Sequence, residues 1–302
     1  MKKLKYLVMA AIAAVVFACG TTRTVPITGR KQNILVSDEQ VLSLSNQEYT
    51  NYMKSAKLST NSANTAMVKR VGQRLATAVE TYLNEHGMAA DAKEYSWEFN
   101  LVQDKSVNAF CMPGGKIVVY EGLLPITQDE ASLAIVLGHE IAHAVAKHSA
   151  EQMSKQIKNQ YGTQILGQVL NAAGVSSSTT QLAQIIAQKG LQFRSLKYSR
   201  DNESEADHMG LIFAAMAGYD PNVAVTFWQR MAQATGSNNQ SDIFSDHPSD
   251  AKRIAAIKQE LPEALTYYKL VKTTTTTKKT TTSTKKKTTT SSKKKKTTTR
   301  RK

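Results

Sequence analysis

Cysteine is nearly absent. The 302 residues include only Cys19 and Cys111, which excludes a disulfide framework. A metal held by this chain would have to use histidine and carboxylate ligands, a set that suits a catalytic site better than a cysteine-rich structural one. A long apolar run is also missing: the N-terminal stretch Leu7–Phe17 is shorter than the about 20 residues a membrane-spanning helix needs. Acidic residues are missing from 272–302, which holds 13 of the 39 Lys and Arg side chains, and three more basic residues lie in the first 18 positions. The 23 that remain face 24 Asp and Glu, so the net charge of +15 belongs to the ends and implies no nucleic-acid-binding fold.

The two ends have distinct characters. Lys2, Lys3 and Lys5 precede Leu7–Phe17 and Ala18-Cys19, the pattern of a secretory signal. Val16-Phe17-Ala18-Cys19-Gly20 resembles a bacterial lipobox, which implies that 1–18 is a signal peptide and that Cys19 becomes a lipidated membrane anchor. With no acidic residue after Cys19, the resemblance implies an outer-membrane lipoprotein facing the periplasm. Residues 19–36 then read as a linker, since Val25-Pro26-Ile27-Thr28-Gly29-Arg30 has turn residues and little to bury. At the other end, 266–302 reads as a disordered Lys/Thr-rich tail suited to contact anionic envelope polymers.

Between them, 37–265 reads as one domain. Ser37 with Gln40 predicts a capped helix start, and Met67, Val71, Leu75, Ala78 and Tyr82 predict an amphipathic helix over 64–84. Trp97, Phe99 and Leu101 alternate with polar residues as in a strand, and a β-branched strand follows at Lys116–Tyr120. Together they predict a small antiparallel hairpin, one edge of which could accept substrate as an added strand near Gly115–Val119. Two helical pieces, Met153–Leu170 and Gln181–Leu191, read equally as a surface hairpin or a lid. Ser249 caps a last helix through Leu261.

The chemistry centres on His139-Glu140-Ile141-Ala142-His143. Histidines four apart on a helix share a face and can chelate one ion. Glu140 sits about 100° further round, where it reaches a water held by the metal without ligating the metal itself. This is the HExxH pattern of zinc metalloproteases. Thr127 with Glu130 predicts the start of this helix, and Leu133, Val136, Leu137, Ile141 and Val145 give it apolar faces. An unpaired carboxylate and two imidazoles would be costly in such a setting, which favours one Zn2+ per chain. Ser199 caps a further helix on which Glu203 and Asp207 share a face while Glu205 projects elsewhere. A cation between the first two, or one carboxylate on zinc and the other on a ligand imidazole, would relieve their repulsion. An acidic first turn answering the helix dipole explains them as well. His247, before Pro248, stands extended at a helix entrance.

His139–His143, Glu203–Asp207, Asn108–Phe110 with Pro113–Gly115, and His247-Pro248 with Arg253 together resemble the HtpX/BepA-like zinc metallopeptidases. These are relatives of the CAAX prenyl proteases and of the mitochondrial inner-membrane quality-control protease. The resemblance implies an α+β fold: a mostly helical, zincin-like metallopeptidase domain with a small antiparallel sheet beside the HExxH helix. It makes His139, His143 and Glu203 the zinc ligands, Glu140 the general base and Asp207 the partner of a ligand histidine. His247 becomes either a plug on the metal or an oxyanion donor, and Arg253 a tie between that loop and the site. The implied activity is zinc-dependent endoproteolysis of misfolded or unassembled envelope proteins bound as extended strands. A zinc-binding chaperone or assembly factor, and a structural envelope lipoprotein, are the rival readings.

Overall fold

The computed structural model describes residues 21–171, 193, 196–235 and 251–288, with side chains described to 159, 234 and 271 in the three longer stretches. Two strands, β1 (Thr21–Thr24) and β2 (Lys31–Ile34), pair antiparallel at the start. Helices α1 (Asp38–Ser55), α2 (Ser62–Glu85) and the short α3 (Ala89–Ala92) follow. Next come β3 (Glu98–Val102), β4 (Ala109–Met112) and β5 (Lys116–Tyr120), forming one sheet in the order β3-β5-β4. The rest is helical: α4 (Leu124–Thr127), α5 (Glu130–Val145), α6 (His148–Asn171), α7 (Arg200–Met216), α8 (Val223–Thr235) and α9 (Ala251–Thr288). The architecture is α+β and mostly helical, and among the described residues no helix is long and apolar enough to cross a membrane.

Helix α5 forms the spine of the core. Every residue from Ser132 to Val145 is buried, as expected of a helix surrounded on all sides. Val68, Val71, Leu75, Val79 and Leu83 of α2 cover one side of that core, and Leu211, Ile212 and Phe213 of α7 cover another. Helix α1 begins at the expected capping box, with Ser37 Oγ accepting from the Gln40 amide and the Gln40 side chain accepting from the Ser37 amide.

Four expectations are corrected. First, the sheet is mixed rather than purely antiparallel. β5 pairs parallel with β3 and antiparallel with β4, the latter through the tight Pro113-Gly114-Gly115 turn, where both glycines take φ near +84°. β5 is buried along its whole length, and its unbroken Ile117-Val118-Val119 run is that of a central strand. Gly115–Val119 therefore has no free edge for substrate. The outer side of β3 is taken by Lys57–Ser59, through bonds from Gln103 N to Lys57 O and from Ser59 N to Leu101 O, so among the described residues β4 is the open edge of this sheet. Second, α5 is capped by Asp129, whose carboxylate accepts from Ser132 N at 2.7 Å; Thr127 ends α4 and donates backward to Leu124 O. Third, residues 21–36 are folded onto the core instead of forming a linker, with Val25, Ile34 and Val36 buried. Fourth, α9 runs past Leu261 and Pro262 to Thr288, beyond the expected boundary at 265, and Ala264, Tyr267 and Tyr268 pack on the core. Residues 1–20, the second helical piece at 181–191, the loop bearing His247 and Ser249, and the end of the tail from 289 lie outside the described residues.

Candidate metal centre

Helices α5 and α7 bring the site together by direct backbone contact. A Cβ added to Gly138 would lie 2.6 Å from Gly210 O, and one added to Gly210 would lie 2.7 Å from His139 N. Only a glycine pair permits this approach, and it sets the first turns of α7 against the His139–His143 face of α5. Ser199 caps α7 as expected, with its hydroxyl accepting from Asn202 N, so Glu203 and Asp207 leave the helix one turn apart on the side facing α5.

His139, His143 and Glu203 converge. The two histidine Nε2 atoms are 3.1 Å apart, and each lies 3.5 Å from one Glu203 oxygen. All three side chains are buried, and the donor atoms fall within 4.8 Å of one another. Ligands about 2.1 Å from a tetrahedral ion stand about 3.4 Å apart, so the spacing fits zinc.

The hydrogen bonds behind the rings show which nitrogen of each faces the cluster. His139 Nδ1 lies 2.9 Å from Asp207 Oδ1. A carboxylate only accepts, so Nδ1 carries the proton and Nε2 presents a lone pair. His143 Nδ1 lies 2.8 Å from Nδ1 of His148, whose own Nε2 lies 2.9 Å from Glu205 Oε2. Glu205 again only accepts, so His148 donates from Nε2 and accepts at Nδ1. His143 must then donate from Nδ1, which leaves its Nε2 lone pair facing that of His139. Burial keeps the His148 pKa below its ordinary value despite Glu205, consistent with a neutral ring. Two lone pairs and a carboxylate aimed at one buried point are an arrangement that favours a cation. Burial resists charging His139, but hydrogen bonds to Asp207 and Glu203 outweigh it and raise its pKa to about 9. This is the field of a cation site. The donor set therefore fits the expected metal.

Asp207 is fixed in turn. Burial pushes its pKa up, but Arg253 and His139 together hold it below the ordinary value. Arg253 donates to its two oxygens from Nε and Nη2, at 2.6 Å each, and lies flat over Trp228 with Cζ 3.6 Å from the ring centre. Arg253 thus anchors α9 to the site. Glu140 is buried on α5, one position after His139, and α5 packs against β4. Burial first, and then the charge of Glu140, raises the Cys111 thiol on that strand. Tyr120 N donates to Asn108 O and Gly115 N to Met112 O, so by strand alternation Ala109 and Cys111 turn their backbone groups to the outer edge.

Four residues of this site were not singled out from the sequence: His148, Tyr198, Glu205 and Arg30. Tyr198 stacks on His143 with centroids 4.1 Å apart, and its hydroxyl pairs with Ser149 Oγ. His148 is five residues after His143, off its face on a continuous helix. It returns because α5 ends at Ala146 and Lys147 takes φ +53°, held by Asp38, Asp91 and Glu94 around its ammonium. A left-handed lysine costs about 1–2 kcal/mol, and the three carboxylates offset it. No periodicity signals such a turn.

Residues 62–261 match the model of Peptidase family M48. The mitochondrial metalloendopeptidase OMA1 of Schizosaccharomyces pombe is 41% identical over 172 residues, which cover 57% of this chain and 48% of the relative. The human mitochondrial metalloendopeptidase OMA1 is 31% identical over 244 residues, covering 80% and 46%. The beta-barrel assembly-enhancing protease of Escherichia coli O157:H7 is 30% identical over 186 residues, covering 58% and 37%. The chain thus spans less than half the length of each. The expected location is corrected here. The fission-yeast and human relatives are mitochondrial by name, which sets aside an outer-membrane lipoprotein facing the periplasm. A basic-then-apolar leader with one cysteine carries too little information to fix where a chain resides.

Proposed function

Since this chain belongs to peptidase family M48 and carries its metalloendopeptidase domain, we propose that it is a zinc-dependent endopeptidase of misfolded or unassembled protein chains. The observation that carries the reading is the convergence of His139 Nε2, His143 Nε2 and the Glu203 carboxylate, with Glu140 buried on the same helix, which packs against β4. Zinc held by these three side chains would supply Lewis acidity, lowering the pKa of a water toward about 7. Glu140 would act as the general base for the attacking water and then as the acid toward the leaving amine. Asp207 and Arg253 hold His139 in its ligating tautomer. The substrate lies extended along β4, where the Ala109 carbonyl and the Cys111 backbone face outward, and this selects chains that are locally unfolded. The test is a trap: Glu140→Gln, affinity-purified from cells, should retain unfolded or orphan proteins that the wild type does not. Recovery of the same proteins at the same level with both forms contradicts the reading.

A further inference from the structure

The two ligand histidines are supported unequally. His139 Nδ1 rests directly on a carboxylate, whereas His143 Nδ1 meets a second imidazole that rests on one. Glu205, at the end of that chain, receives Arg30 Nε at 2.9–3.0 Å and the Thr28 hydroxyl at 2.5 Å. The other side of the Arg30 guanidinium donates from Nη1 and Nη2 to both oxygens of Glu151, on the same helix as His148. Arg30 and Thr28 belong to the β1–β2 turn, ahead of the matched residues 62–261. Gln32 on β2 donates to Ala146 O at the end of the metal helix, and Leu35 N donates to Ser154 Oγ on α6.

We propose that Arg30, Glu205 and His148 form a positioning chain for His143, making the N-terminal hairpin a working part of the metal centre. The proposal rests on the zinc reading above. The reasoning is one of donor and acceptor polarity. His143 ligates only with its proton on Nδ1. That proton needs an acceptor, and His148 Nδ1 accepts only while Glu205 draws the His148 proton to Nε2. Arg30 donates to Glu205 and fixes it relative to α6 through the second carboxylate. Outer partners of metal-ligating histidines typically contribute about 10–100-fold to metal affinity.

The experiment titrates zinc into metal-free full-length protein against a chromophoric chelator and records the visible spectrum of the cobalt-loaded form. Circular dichroism and thermal unfolding of the metal-free protein check the fold. Glu205→Gln keeps shape but can donate to His148 and reverse the polarity; Arg30→Gln removes the clamp. Both should bind zinc about 10–100-fold more weakly and shift the cobalt bands. A glutamine at 148 can accept from His143 and donate to Glu205, so His148→Gln should stay within a few-fold of wild type, whereas His148→Leu should not. Wild-type zinc affinity in folded Glu205→Gln and Arg30→Gln overturns the proposal, as does equal loss in His148→Gln and His148→Leu. If either of the first two fails to fold, the His148 pair decides. Failure of the wild-type chain to take up zinc overturns the metal reading itself.

Discussion

Replacing Gly210 by alanine should damage the metal site more than the fold. The added methyl would sit 2.7 Å from His139 N and 2.9 Å from both Gly138 C and His139 Cα. Unstrained carbon contacts are about 3.5–4.0 Å, so α5 and α7 must separate by roughly 1 Å. Overpacking of this kind costs about 1–3 kcal/mol, and the better helix propensity of alanine returns about 1 kcal/mol. The net loss, about 0–2 kcal/mol, leaves the domain folded. The ligands fare worse, because His139 and His143 ride on one helix and Glu203 on the other, with 3.5 Å between the donor atoms. Metal sites tolerate displacements of about 0.2 Å, and a 1 Å misplacement costs about 100-fold in rate. Zinc affinity by chelator competition should therefore fall at least about tenfold, and peptide cleavage about 100-fold, while the metal-free thermal midpoint drops by only a few degrees. Wild-type zinc affinity and turnover in Gly210→Ala would refute the argument that this close approach sets the ligand geometry.

Other outcomes follow from the same contacts. Asp207→Asn should weaken zinc binding about 10–100-fold by chelator competition, and should also lower the urea midpoint because buried Arg253 loses the charge of its bidentate partner. Removing zinc with a chelator should lower the thermal midpoint by calorimetry, since ligand at 100–1,000 times its dissociation constant stabilises by about 3–4 kcal/mol. Glu151 is held below the ordinary carboxylate pKa because Arg30 and Lys155 outweigh its burial. Its contribution is present above the unfolded-state value and is lost as pH falls through the depressed one. Glu151→Gln should accordingly flatten the acid side of a urea-midpoint profile of the metal-free protein, and an unchanged slope would contradict that assignment.

What was legible in the sequence was local. Residues four apart on one helix must share a face, so the His139/His143 and Glu203/Asp207 pairs could be placed without knowing the fold. The caps at Ser37 and Ser199 were readable for the same reason, since each spans three residues. What was not legible depended on distant partners. Val25–Arg30 looks like a polar turn until Arg30 meets Glu151 and Glu205, 121 and 175 residues away. The Lys116–Tyr120 run announces a buried strand, but its parallel pairing with β3 is a property of the assembled sheet. His148 escaped because its position depends on one left-handed residue that is not glycine. Gly138 and Gly210 carry no signal apart, since their meaning lies in facing each other.

The central claim is that Glu140 activates water at a site built by His139, His143 and Glu203. Its most direct test is cleavage of an unfolded protein substrate by the wild type and by Glu140→Gln, each first shown by elemental analysis to hold one zinc per chain. Loss of the base should lower the rate by at least about 100-fold with zinc content unchanged. Undiminished cleavage by zinc-loaded Glu140→Gln would contradict it.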